Sequence, residues 1–165
     1  MSKAFTRESD DSAAPEIIFP KSVQPQATSR FITREGAVRF ESQLRDLMEK
    51  KQDLLNNGGK LKKDAVLDVD IQIQKLQSLL ANAVVVSPPA DLNKVAFGAY
   101  IRVRENNGEE ETYQIVGPAE AEPAEGRISS TSPLARALLS RKTGHKVQFQ
   151  TPGGPTELSI IQVSY

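Results

Sequence analysis

From Val66 to Ala83 the apolar residues Val66, Val69, Ile73, Leu76, Leu80 and Ala83 follow one another at spacings of 3, 4, 3, 4 and 3. An α-helix turns once in 3.6 residues, so this series forms one stripe that must bury itself against a partner. A partner stripe lies just upstream. Phe40, Leu44, Leu47, Leu54 and Leu55 recur mostly at 3- and 4-residue spacing, and the stripe weakens where Lys51 and Asp53 interrupt it. Between the two stripes sits Asn56-Asn57-Gly58-Gly59, a strong helix breaker. Two helices joined by a short Gly-rich turn pack as antiparallel neighbours. About 22 residues per arm at 1.5 Å per residue give a rod roughly 33 Å long. The Thr33 hydroxyl suits an N-cap, with Ile32 as a staple before it. The second helix is expected to start near Lys62 to Asp64, and Ser87-Pro88-Pro89 to close the helical region.

From Val95 the period changes to two. Val95, Phe97, Ala99, Ile101 and Val103 alternate with Ala96, Gly98, Tyr100 and Arg102, which predicts a strand. Asn106-Asn107-Gly108 is a hairpin turn signal, and a partner strand follows with Tyr113 and Ile115 on one face. Pro118 to Gly126 is rich in Pro, Ala and Glu and reads as an exposed loop. Arg127 to Ser130 reads as a short strand. Ser132-Pro133 pairs an N-cap with proline at the first helical position, so a short helix is expected through Leu134 to Leu139. Val147 and Phe149 mark another strand. Pro152-Gly153-Gly154-Pro155 turns the chain into a last strand from Leu158 to Tyr165, whose apolar phase slips between Ile160 and Ile161 and so predicts a bulge. The expected class is α+β, an N-terminal antiparallel coiled-coil hairpin followed by a small antiparallel β domain with one short helix. Residues 1–30 read as a disordered tail, 31–86 as the hairpin and 87–165 as the β domain; within the tail, Ile17-Ile18-Phe19-Pro20 is an apolar island.

Composition removes several kinds of chemistry. The 165 residues include no cysteine and one histidine, which excludes thiolate sites and argues against zinc sites and histidine-based relays. The formal net charge is +0, so no global pull toward nucleic acid or anionic membrane is expected. No apolar run approaches the ~20 residues of a membrane helix, and no signal-peptide core is present. The default expectation is a cytoplasmic, monomeric, non-enzymatic binding protein with no cofactor.

Several stretches resemble the bacterial Gre factors, GreA and GreB, with GreB the nearer. They are Ile32-Thr33-Arg34-Glu35-Gly36, Val95-Ala96-Phe97-Gly98-Ala99-Tyr100, Tyr113-Gln114-Ile115-Val116-Gly117, Ile128-Ser129 with Ser132-Pro133-Leu134-Ala135-Arg136-Ala137-Leu138-Leu139, Thr151-Pro152-Gly153-Gly154 and Val163-Ser164-Tyr165. The resemblance runs from Phe31 to the end. It implies an FKBP-like C-terminal domain that docks on RNA polymerase at the rim of the secondary channel. It also implies a hairpin that enters the channel, where acidic tip residues help hold a catalytic Mg²⁺ for transcript cleavage by the polymerase. By this resemblance Thr131, Ser132, Pro133 and Arg136 form the polymerase-binding corner. The same Ser-Pro pair also fits a plain helix cap.

This chain departs from the family at the tip. The family motif resembles Gly-Asp-x-Ser-Glu-Asn-x-Asp/Glu-Tyr, whereas here Asn57, Gly58, Gly59, Lys60, Lys62 and Lys63 occupy the turn. Ammonium groups cannot ligate a cation and repel Mg²⁺. Asp64, Asp68 and Asp70 are the nearby carboxylates, and a metal role for them is the weaker alternative; a solvated helix face accounts for them as well. The hairpin also looks about 15 residues shorter than the family's, which withdraws the tip by roughly 10 Å. Where GreB carries an Asp before the Ser-Pro pair, this chain has Thr131. The leading expectation is a polymerase-binding elongation factor that inserts a short basic hairpin, in indirect contact with nascent RNA, without strong cleavage stimulation. Two alternatives stand beside it. One is a cleavage stimulator using Asp64, Asp68 or Asp70. The other is an adaptor resembling Rnk, the regulator of nucleoside diphosphate kinase, with a non-polymerase partner. Prolyl isomerisation is not expected, because Phe97, Tyr100, Tyr113, Phe149 and Tyr165 mostly occupy alternating core positions and leave no deep aromatic pocket.

Overall fold

The computed structural model describes residues 29–56, 63–151 and 154–165. The tail island Ile17-Ile18-Phe19-Pro20, the tip residues Asn57 to Lys62 and the Pro152-Gly153 turn lie outside the described residues.

Two long helices come first. Strand β1 (Phe31–Ile32) leads into α1 (Arg34–Asn56), and α2 (Lys63–Asn82) returns to β2 (Val84–Val85). Thr33 caps α1 as its sequence suggests: its Oγ1 accepts the Gly36 N–H at 2.8 Å, and its carbonyl accepts the Ala37 N–H at 3.0 Å. The seam is thin. Phe40 on α1 and Val69 and Ile73 on α2 are its buried hydrophobic residues, while Leu44, Leu47, Leu54, Val66, Leu76 and Leu80 are half-buried. Leu55 leaves the seam for solvent, because adjacent residues on a helix sit about 100° apart and Leu54 takes the inward place. A Lys51 Nζ to Asp70 Oδ1 ion pair at 2.6 Å bridges the two arms.

The helical region ends at Asn82, before the expected Ser87. Val84, Val85 and Val86 are β-branched and favour extended backbone. They meet Phe31 and Ile32, which precede the first arm at the same base of the hairpin, and pair with them in parallel. That partner is distant in sequence, so local pattern did not announce it.

The second layer is a five-stranded sheet in the order β5-β4-β3-β7-β6. Its strands are β3 (Tyr100–Glu105), β4 (Glu110–Val116), β5 (Arg127–Ser129), β6 (Lys146–Thr151) and β7 (Gly154–Ser164), with α3 (Pro133–Leu138) between β5 and β6. The architecture is α+β, as the sequence pattern indicates. All sheet pairs are antiparallel except β4 with β5, which is parallel. The alternation read for β3 holds: Ile101 and Val103 are buried with Ile115, Leu158 and Ile160, and Ala135 and Leu138 of α3 complete this core. The bulge is present too, since Arg102 pairs with Gln162 but Val103 with Ile160, leaving Ile161 as the extra residue.

Two further expectations fail. The strand predicted from Val95 begins only at Tyr100, because Gly98 takes a φ of 85° and turns the chain; its N–H still reaches the Ile115 carbonyl at 2.8 Å. The loop from Pro118 to Gly126 holds two 3-10 turns, Pro118–Glu120 and Pro123–Glu125, and buries Glu120 within it. No helix among the described residues is long and apolar enough to cross a membrane.

A thin seam predicts weak, local stability. Ile73→Ala is expected to cost about 2–4 kcal/mol, whereas Lys51→Ala, which breaks a half-exposed ion pair, should cost less than ~1 kcal/mol. Urea denaturation of both variants checks the contrast, and equal losses would contradict it.

Candidate functional site

Three regions bear on function: the joint between hairpin and sheet, the corner before α3, and the hairpin end. The joint is built around Glu120. Its side chain is fully buried, and four groups converge on the carboxylate. Oε2 accepts the Thr33 N–H at 2.9 Å and the Gly117 N–H at 3.3 Å. Oε1 accepts the Thr33 hydroxyl at 2.6 Å and lies 3.5 Å from an Arg39 guanidinium nitrogen. A buried carboxylate is tolerated only with such partners. It sits at the N-terminus of α1, where free N–H groups and the helix dipole favour negative charge.

Glycines make room for this arrangement. A Cβ on Gly36 would stand 1.7 Å from Glu120 Oε1, and one on Gly117 would stand 1.9 Å from the Phe31 carbonyl oxygen. Glu35 adds a second tie beside the first. Its Oε2 accepts the Tyr100 hydroxyl at 2.6 Å and the Gln114 side-chain amide at 2.9 Å. Phe31 meets Phe97 edge-on, with ring centroids 6.0 Å apart. The run Thr33-Arg34-Glu35-Gly36 therefore fastens the hairpin base to β3, β4 and the turn after β4. Sequence reading gave Thr33 the N-cap role but assigned no tertiary contact to this run, and it missed Glu120 altogether. The only available signal was a Gly-Pro pair three residues before a glutamate.

The corner residues predicted as a binding surface lie together. Thr131 is exposed, its Oγ1 2.8 Å from Ser129 Oγ, and its N–H donates to the same Ser129 oxygen at 3.2 Å. Ser132 caps α3, its Oγ accepting the Ala135 N–H at 3.2 Å. Pro133 and Arg136 are exposed on the outer side of α3. The corner follows β5, one of the two edge strands of the sheet.

At the hairpin end, Lys63 is exposed at the start of α2, and Asn57, Gly58, Gly59, Lys60 and Lys62 lie outside the described residues. Asp64 and Asp68 are exposed and share a face, whereas Asp70 is turned toward α1 and held by Lys51. Among the described residues, no three carboxylates or histidines gather where a metal could bind.

The joint yields two predictions. Glu120→Ala strands the Thr33 and Gly117 N–H groups and should cost about 2–4 kcal/mol. Gly36→Ala should also destabilise, by ~1–3 kcal/mol, through overpacking against the same carboxylate; chemical denaturation of each variant checks both. The second concerns pH. Burial first, then the bond to Glu35, pushes the Tyr100 phenol up from 10.0 to about 12. A raised folded-state value means that its stabilisation is complete below pH 10 and is lost as pH rises toward 12. Absorbance titration at alkaline pH should lose one late tyrosinate step in Tyr100→Phe; an early step lost instead would contradict the joint.

Residues 89–165 match the family described as Transcription elongation factor, GreA/GreB, C-term. Transcription elongation factor GreA of Bacillus anthracis is 36% identical over 149 residues, covering 80% of this chain and 94% of that protein. GreA of Chloroflexus aggregans is 37% identical over 150 residues, covering 81% and 96%. Among solved structures, GreA factor homolog 1 of Thermus thermophilus aligns with a TM-score of 0.42 at 23% identity, covering 82% of this chain and 98% of that one. The elongation factor GreA/GreB from Nitrosomonas europaea aligns with a TM-score of 0.43 at 25% identity, covering 82% and 98%. By its identity to full-length relatives across both the hairpin and the sheet, the chain belongs to the GreA/GreB family of transcription elongation factors.

Proposed function

We propose that this chain binds RNA polymerase through the corner of Thr131, Ser132, Pro133 and Arg136, and places its hairpin in the secondary channel without strongly stimulating transcript cleavage. It acts as a binding factor, not as an enzyme. The observation that carries the reading is the hairpin end. From Asn56 to Lys63 the chain offers lysines and no carboxylate. Lysine cannot hold Mg²⁺, but it suits RNA phosphates or acidic groups near the channel. Length supports the same reading. The GreA match spans 149 residues, yet 80% of 165 is about 132, so the relative carries roughly 17 residues with no counterpart here. Removed from the hairpin, that number shortens each arm by over two helical turns.

The alternative reading as a cleavage stimulator rests on Asp64, Asp68 and Asp70. Asp70 is committed to Lys51, and among the described residues no third carboxylate joins Asp64 and Asp68 on their face.

Two measurements test the proposal in one reaction. Purified polymerase should bind the chain in competition with GreB, and Thr131→Arg should weaken that competition at least about tenfold, the size of one well-placed interface contact. A backtracked elongation complex with Mg²⁺ should show strong RNA cleavage with GreB and little with this chain. Absence of competition would remove the docking claim. Cleavage at the GreB level, lost in Asp64→Asn or Asp68→Asn, would overturn the claim about the tip.

A further inference from the structure

One side of the hairpin differs from the rest of it. Between the two arms runs a shallow groove whose floor is Met48 and Leu55 of α1 and Ile73 of α2. Met48 and Leu55 are 45% and 55% exposed, so the seam leaves them to water. The rim is Gln52, Gln74 and Gln77, all exposed. Among the described residues, Lys51 and Asp70 are the charged ones that line the groove, and they neutralise each other at 2.6 Å. The opposite side of the hairpin is richly charged. A rotation of about 100° per residue puts Asp46, Lys50 and Asp53 of α1 and Asp68 and Lys75 of α2 there, all exposed. A charge-depleted strip with methionine and leucine at its centre has the composition of an interface core.

Charge decides what fits this strip. A charged helix laid on it would lose the hydration of its charges and find no counter-charge in return. A copy of the same strip is neutral and is not repelled. Glutamine amides both donate and accept, so the rims of two copies can hydrogen-bond across a two-fold axis. Two hairpins packed face to face make a four-helix bundle, which buries what each leaves exposed. We propose that this chain self-associates as a two-fold dimer through the Met48-Leu55-Ile73 groove, its hairpins crossing antiparallel. The antiparallel sense keeps the lysine-bearing ends apart, whereas a parallel pair sets like charges side by side. Two arms about 20 Å wide, in contact over about 20 Å, cover roughly 400 Å² per copy. That is about half of a standard interface, so the dimer is weak, with Kd on the order of 0.1 mM. On the reading that the hairpin enters the polymerase channel, pairing and entry exclude each other. Only that consequence rests on the proposed function.

Sedimentation equilibrium of the full-length chain without polymerase tests the pairing, so its outcome is independent of docking. From about 10 µM to about 1 mM the apparent mass should rise from the 18.1 kDa monomer toward the dimer and no further. Met48→Glu and Gln74→Glu each set like charges on both faces and should raise Kd at least about tenfold. Both positions are exposed, and far-UV circular dichroism reports that each variant keeps its helices. Lys50→Gln, on the opposite side, changes the net charge as much as Gln74→Glu does and should leave Kd within about twofold. A mass that stays at the monomer up to the highest concentration overturns the proposal. So does association that Lys50→Gln weakens and the groove variants do not, because the contact then lies on the other side. Growth past the dimer overturns it too, since a two-fold contact closes.

Discussion

The carboxylate of Glu120 is the interaction on which the arrangement of the molecule depends. It is buried, and its partners come from both layers: Thr33 and Arg39 from the hairpin, Gly117 from the turn after β4. Desolvating a carboxylate costs several kcal/mol unless hydrogen bonds replace the water. Here the N-terminus of α1 replaces it. The helix gains a cap, the charge gains donors, and neither side is satisfied if the layers separate. The joint steers a hairpin roughly 30 Å long, because a small rotation at the base moves the far end by many ångströms.

Around this joint the other contacts fall into order. Gly36 and Gly117 lack side chains because the carboxylate and the Phe31 carbonyl occupy their space. Glu35 ties the same helical turn to Tyr100 and Gln114, one residue from each of two paired strands. The sheet beneath is the stable part, with Ile101, Val103, Ile115, Leu138 and Ile160 almost wholly removed from water. The hairpin above it buries few residues, so it borrows its orientation from the joint and not from its own seam.

The sequence alone determined the elements and their class. Apolar spacing of 3 and 4 against spacing of 2 separates helix from strand for local geometric reasons, and Thr33, Ser132-Pro133, the Asn-Gly turn and the Ile160-Ile161 phase slip were each legible for the same reason. The lysines between Asn56 and Lys63 are plain in the sequence, whereas the corner at Thr131 was singled out by resemblance to the Gre factors. Tertiary structure decided the rest. Val84 and Val85 became a strand only because Phe31 and Ile32 lie beside them, and Gly98 ended a strand that alternation alone would have continued. Glu120 sits in a stretch whose composition reads as solvent-exposed loop. Its burial depends on a helix N-terminus that arrives from 87 residues away, and no local pattern encodes a partner at that distance.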